Sequence, residues 1–191
     1  MMRSRWLAVL VLMGLGVTGL SATVLVPAEF KEIVADAGLI VRGRVTDVRA
    51  VIRSDRSVES IATLAVDATL KGTPSEFVSL TVPGGTIGRY TSRMIGAPVL
   101  RVGQQAVFFL KRDPRNAWRP IGLSMGVARI SADPATGTLV IPAPVVPGET
   151  ADAGPILRGD ARRATMPVGS YESLVRLVLA GQASIAAVGA R

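Results

Sequence analysis

The chain has 191 residues, with 22 lysines and arginines against 14 aspartates and glutamates, a formal charge of +8, and neither cysteine nor histidine. No disulfide, thiolate nucleophile or cysteine metal site can form, and histidine-dependent catalysis and zinc sites that need histidine or cysteine are excluded with them. The length favours one domain that buries roughly two thirds of its unfolded surface and folds without covalent staples.

Nineteen of the basic residues are arginine and three are lysine. With abundant Ala, Gly and Val, that bias fits a GC-rich coding sequence as readily as arginine selected for recognition. Residues 1–22 read as a signal peptide: Arg3 and Arg5 precede an apolar run from Trp6 to Val17, and Ser21-Ala22 offers a small-residue cleavage site with Leu20 an imperfect neighbour. The alternative is an uncleaved anchor, but Gly14, Gly16 and Gly19 interrupt a run shorter than the ~20 residues that span a bilayer. The expected location is therefore periplasmic or extracellular, or membrane-anchored if the segment is retained.

A barrel domain is expected over 23–141. Pro27 to Ala37 has helical spacing, with Phe30, Ile33, Val34 and Ala37 on one face and Gly38 at its end. From Leu39 to Arg53 the period changes to two: Val41, Gly43 and Val45 alternate with Arg42 and Arg44. An extra residue near Thr46-Asp47 suggests a bulge. Ser54 to Ser57 is a turn. Val58 to Leu70 alternates again; helix competes here, but Thr63, Thr69 and the period favour strand. Lys71-Gly72-Thr73-Pro74 closes it.

Phe77 to Leu110 is the most informative stretch: a strand to Val82, a structural turn at Pro83-Gly84-Gly85, a basic loop from Thr86 to Arg101, and a second apolar strand after Gly103. Phe108 and Phe109 are expected in the core. Arg112 to Asn116 reads as a hairpin connection. Trp118 to Leu123, Gly126 to Ile130 and Thr138 to Ile141 are further short strands, with Ala132 to Gly137 a turn. Short strands separated by Gly/Pro turns imply a mainly β protein, a small antiparallel barrel with a short N-terminal and a C-terminal helix. Residues 142–169 are rich in Pro and Gly and read as irregular. A helix over 170–181 follows, with Ser170 as N-cap, Glu172 in its first turn and an apolar stripe through Tyr171, Leu174, Val175 and Val178. Residues 182–191 form a tail without expected order.

The order of the turn motifs resembles a family of uncharacterised secreted bacterial proteins. The matching residues are Gly43-Arg44-Val45, Leu70-Lys71-Gly72, Val82-Pro83-Gly84-Gly85, Gly96-Ala97-Pro98, Gly103 with Phe108-Phe109-Leu110, and Gly122 to Gly126, over roughly residues 28–130. The resemblance implies a barrel similar to OB-like or netrin-like modules and carries over no catalytic residue. Netrin-like protease inhibitors rely on N-terminal cysteines that this chain lacks.

Arg89, Tyr90, Arg93 and Arg101 are the candidate binding residues, because paired arginines can grip a carboxylate or phosphate and stack on a ring. The bland reading is a solvated loop. Lys111, Arg112, Arg115 and Arg119 form a second basic group that could extend a basic barrel face. Asp47, Asp55, Glu59 and Asp67 are scattered and form no paired motif; no Ser-x-x-Lys motif and no phosphate loop occurs. The leading expectation is an exported, non-catalytic binding or interaction module without cofactor or metal, its partner an envelope or extracellular protein. The alternatives are a carboxylate-based hydrolase and a basic surface that binds anionic glycan or lipid. Nucleic acid fits poorly with export.

Overall fold

The computed structural model describes residues 30–143 and 164–181; the expectations for 1–22, for most of 142–169 and for 182–191 lie outside them. Helix α1 (Phe30–Asp36) leads into a long antiparallel hairpin, β1 (Leu39–Ile52) and β2 (Val58–Lys71). β3 (Phe77–Pro83) adds antiparallel to β2. A small hairpin follows, β4 (Gly85–Ile87) and β5 (Tyr90–Ser92). β6 (Gln105–Arg112) then pairs along β1 from Leu39↔Leu110 to Arg44↔Gln105. β7 (Trp118–Pro120) pairs antiparallel with β6 and meets β3 in parallel at Leu80↔Trp118. The order β1-β2-β3-β7-β6 therefore returns to β1, a closed five-stranded barrel of the expected OB-like kind. β8 (Val127–Arg129) extends the β6 edge, and β9 (Ser131–Ala132), β10 (Leu139–Ile141) and β11 (Met166–Pro167) make a three-stranded side sheet. Helix α2 (Val168–Leu179) closes the described chain. Among the described residues no helix is long and apolar enough to cross a membrane.

β1 must serve both β2 and β6, and its bends make that possible. The pairing with β2 slips at Arg42/Gly43 and at Val45/Asp47, the latter at the expected bulge. At Gly43 the neighbouring strand comes so close that a Cβ would lie 2.5 Å from the Ala65 carbonyl oxygen.

The continuous apolar run of β6 has two hydrophobic faces because both sides are covered. Ala106, Phe108 and Leu110 point into the barrel against Val41, Leu64 and Leu80. Val107 and Phe109 point out, under the two helices and Ile141. Phe30, Phe109 and Tyr171 meet edge to face, with ring centroids 5.6–6.4 Å apart. Polar ties fix the helices: Arg42 Nε lies 2.8 Å from the Glu172 carboxylate, and Lys71 Nζ donates to the Val34 and Ala35 carbonyls at the end of α1.

Several sequence expectations change. α2 begins at Val168 behind Pro167, with no side-chain cap and no acid in its first turn; Ser170 lies inside the helix, and Glu172 serves the Arg42 pair instead. β11 and the start of α2 lie within the stretch read as irregular. The strand expected to Leu123 ends at Pro120, and Leu123–Gly126 is a 3-10 turn. Phe108 and Phe109 are buried as expected, whereas Phe77 is exposed at the start of β3.

Candidate functional site

The chain leaves the barrel at Pro83-Gly84-Gly85, and this turn is built tightly onto the first hairpin. Gly84 has φ +88, its N–H donates to the Val58 carbonyl at 2.8 Å, and its own carbonyl accepts from Ser60 Oγ at 2.8 Å. A Cβ at Gly85 would meet Ser60 Oγ at 2.6 Å and Ala50 Cβ at 2.9 Å. These residues are structural, and they launch the β4–β5 hairpin away from the barrel.

After β5 the segment Arg93 to Gln104 returns along the barrel end. Pro98 and Leu100 are buried and anchor it. The Ala97 N–H donates to the Met94 carbonyl at 3.1 Å around Gly96, φ +80, and the Ser124 N–H donates to the Gly96 carbonyl at 2.9 Å. A second turn runs from Arg101 to Gln104. Gln104 N–H donates to the Arg101 carbonyl at 3.0 Å, and Arg101 N–H donates back to Gln104 Oε1 at 3.2 Å. The far end of that turn is tied to Val45: Gly103 N–H donates to the Val45 carbonyl, and Val45 N–H donates to the Gln104 carbonyl.

Between this segment and the barrel lies a cleft of about 1010 Å³. Its apolar lining includes Val48, Ala50, Val82 and Leu100, and the charged residues lining it are Arg93, Arg101 and Arg129. Arg129 Nη2 donates to the Val99 carbonyl at 3.2 Å, which fixes its guanidinium against the segment. Gln104 also lines the cleft. Because a backbone N–H meets its Oε1, the other atom of the amide must be the donor Nε2. That Nε2 is buried and has no hydrogen-bond partner. The cleft is thus rich in donors and carries no carboxylate; it suits a ligand that brings acceptors and negative charge.

Of the four candidate binding residues, Arg93 and Arg101 line this cleft. Arg89 and Tyr90 do not: they sit exposed at the tip of the β4–β5 hairpin, beside Gly88 with φ +57. Arg129 was not foreseen. It falls on β8 with no motif around it, and only its place in an alternating strand marked it as outward-facing.

The second basic group is spent within the protein, three members on its acids and Arg112 on a ring. Lys111 Nζ is 2.8 Å from the Asp36 carboxylate, Arg112 stacks 4.0 Å above the Trp118 ring, and Arg115 faces Asp55 at 3.8 Å. Arg119 binds Asp113 at 2.7 Å and, together with Arg53, the buried Glu59. Burial pushes the Glu59 carboxyl up, but hydrogen bonds from Arg119 and Arg53 outweigh it and hold the group below its usual range. The Arg119 hydrogen bond, with the Ala117 and Arg115 N–H groups, likewise holds Asp113 down. Among the described residues no three metal-ligating side chains come together.

Fold and cleft together define a closed OB-like barrel with an arginine-lined groove at one end. No protein-family model matches the chain, and no curated protein matches it.

Proposed function

We propose that the chain is an exported, non-catalytic binding module that holds an anionic partner group in the cleft under the Arg93–Gln104 segment. The observation that carries this reading is that the charged residues lining the cleft are arginines alone, Arg93, Arg101 and Arg129, beside the unmet donor of Gln104. Loops on a rigid barrel are common places for binding, and paired guanidinium donors suit carboxylates and phosphates. The cleft offers no pair of carboxylates for acid–base work, and Glu59 and Asp113 are held by arginines. Export rests on residues 1–22, and kinship with the secreted bacterial proteins rests on the order of the turn motifs. The partner that fits best is an envelope or extracellular protein presenting an acidic segment.

The test is a pull-down from envelope and culture fractions with the tagged protein beside its Gln104→Glu and Arg129→Gln variants. Gln104→Glu keeps the acceptor for Arg101 N–H but replaces the free donor with a negative oxygen. We expect one stoichiometric partner on the parent chain, lost from both variants and weakened by salt. Equal capture by the variants would remove the cleft from the function. Turnover of an ester, peptide or glycoside panel by the parent chain would overturn the non-catalytic reading.

A further inference from the structure

The segment that roofs the cleft holds its apolar side chains outward. Ile95 is 99% exposed, Met94 54%, Val99 63% and Val102 65%. These are not the loose side chains of an unanchored loop. Ile95 occupies the second position of the hydrogen-bonded Met94–Ala97 turn, whose Gly96 carbonyl is held by Ser124, while Pro98 and Leu100 are buried between the exposed residues. Backbone bonds and buried anchors therefore keep four apolar side chains in water, and exposed apolar groups gathered in this way mark an interaction surface.

Their surroundings indicate what covers them. Arg93 and Arg101 bracket the segment, and with Met94 and Val99 they border the same cleft, so charge and apolar groups share a side of the molecule. From Phe77 to Leu110 the chain contains no aspartate or glutamate, against Arg89, Arg93 and Arg101. A protruding turn tipped with Ile and Met, without an aromatic anchor and bracketed by Arg93 and Arg101, matches an anionic lipid surface. Such a surface deforms around the apolar tip while its headgroups meet the arginines.

We propose that the Arg93–Val102 ledge docks on anionic membranes, with Met94, Ile95, Val99 and Val102 entering the headgroup–acyl boundary and Arg93 and Arg101 pairing with lipid phosphates. This goes beyond the cleft reading: it shares Arg93 and Arg101 with that reading but requires neither Gln104 nor Arg129.

The chain has no cysteine, so a single introduced thiol is a unique label. An environment-sensitive fluorophore on Ile95→Cys, in the otherwise native chain, reads burial at that point whatever the N-terminal residues do; the same label on Ala135→Cys, in the exposed β9–β10 turn, is the control. With phosphatidylglycerol–phosphatidylcholine vesicles the label at 95 is expected to shift to the blue, and with phosphatidylcholine alone it is not. The label at 135 is expected to stay unchanged. Arg93→Gln and Arg101→Gln should each weaken vesicle binding about fivefold, and Val99→Asp should remove the shift. A blue shift that needs no vesicles and grows with protein concentration would mean self-association and overturn the proposal. So would equal shifts at 95 and 135, a shift indifferent to Arg93→Gln with Arg101→Gln, or no shift on anionic vesicles. Loss of the cleft partner in Gln104→Glu with a retained blue shift would leave this proposal standing alone.

Discussion

Replacing Gly43 by alanine tests how the barrel closes. Gly43 pairs with Val66 on one side and Ala106 on the other, beside a register slip. The added Cβ would lie 2.5 Å from the Ala65 carbonyl oxygen, 3.3 Å from the Ala65 carbonyl carbon and 3.4 Å from the Val66 Cα. All three are main-chain atoms of β2, so no side chain can swing aside and the strands themselves must part. Overpacking costs about 1–3 kcal/mol where side chains can adjust; against a wall of backbone we expect the top of that range. At about 3 °C per kcal/mol for a chain of this size, the melting temperature should drop by about 9 °C. Gly88→Ala is the control. Gly88 has φ +57 with nothing within 4 Å of its added Cβ, so only the left-handed backbone strain of about 1–2 kcal/mol applies. Thermal melts followed by circular dichroism rank the two. A Gly43→Ala loss no larger than that of Gly88→Ala would refute the steric reasoning.

Three further outcomes follow from the packing and the ion pairs. Glu59 and Asp113 have folded-state carboxyls held below their ordinary values of 4.5 and 3.8, so they stabilise the fold above those values and the contribution is lost as pH falls through the depressed ones; urea midpoints should decline on acidification, with Glu59→Gln flattening the decline, and an unchanged slope in that variant would count against the Arg53–Glu59–Arg119 account. Phe109→Ala removes the barrel's ring from the mutually contacting Phe30–Phe109–Tyr171 group and should cost about 3–5 kcal/mol, with faster amide exchange in α2; a loss confined to β6 would show that the helices are held by other contacts. Arg115→Gln breaks an exposed pair with Asp55 and should change stability by less than about 0.5 kcal/mol while leaving partner capture intact, which denaturant melts and the pull-down check together.

The barrel was legible because its strands obey the period of two wherever one face is wet, and because the Thr46-Asp47 bulge announces itself as a break in that period. β6 was legible for the opposite reason: an unbroken apolar run means two covered faces. What sequence reasoning missed depends on distant contacts. β4 and β5 are three residues each, too short to show a period, and their hairpin reads as loop. Nothing before Val168 marks the start of α2, since Pro167 caps it with no side-chain hydrogen bond; Ser170 is the better cap by type, and the sequence points to it for that reason. Arg93 and Arg101 could be singled out locally, but Arg129 joins them only because β8 pairs with β6 at the base of the same cleft.

Acidic neighbours separate the two arginine groups, and strand register decides where those neighbours go. Glu59 and Ser60 are adjacent in β2, opposite Pro83 and Val82, and successive residues of a strand face opposite ways. Ser60 accordingly lines the cleft and bonds Gly84, while Glu59 turns to Arg53 and Arg119. A slip of one residue would reverse them. The carboxylate would then stand among Arg93, Arg101 and Arg129 and neutralise the groove, and Arg53 and Arg119 would be left half-buried without it. The turn at Gly84-Gly85 locks this register from outside, because Ser60 Oγ fits only against a residue without a side chain. The glycines that looked merely structural in the sequence thus help keep Glu59 out of the cleft, and the basic character of the site depends on them as well as on its arginines.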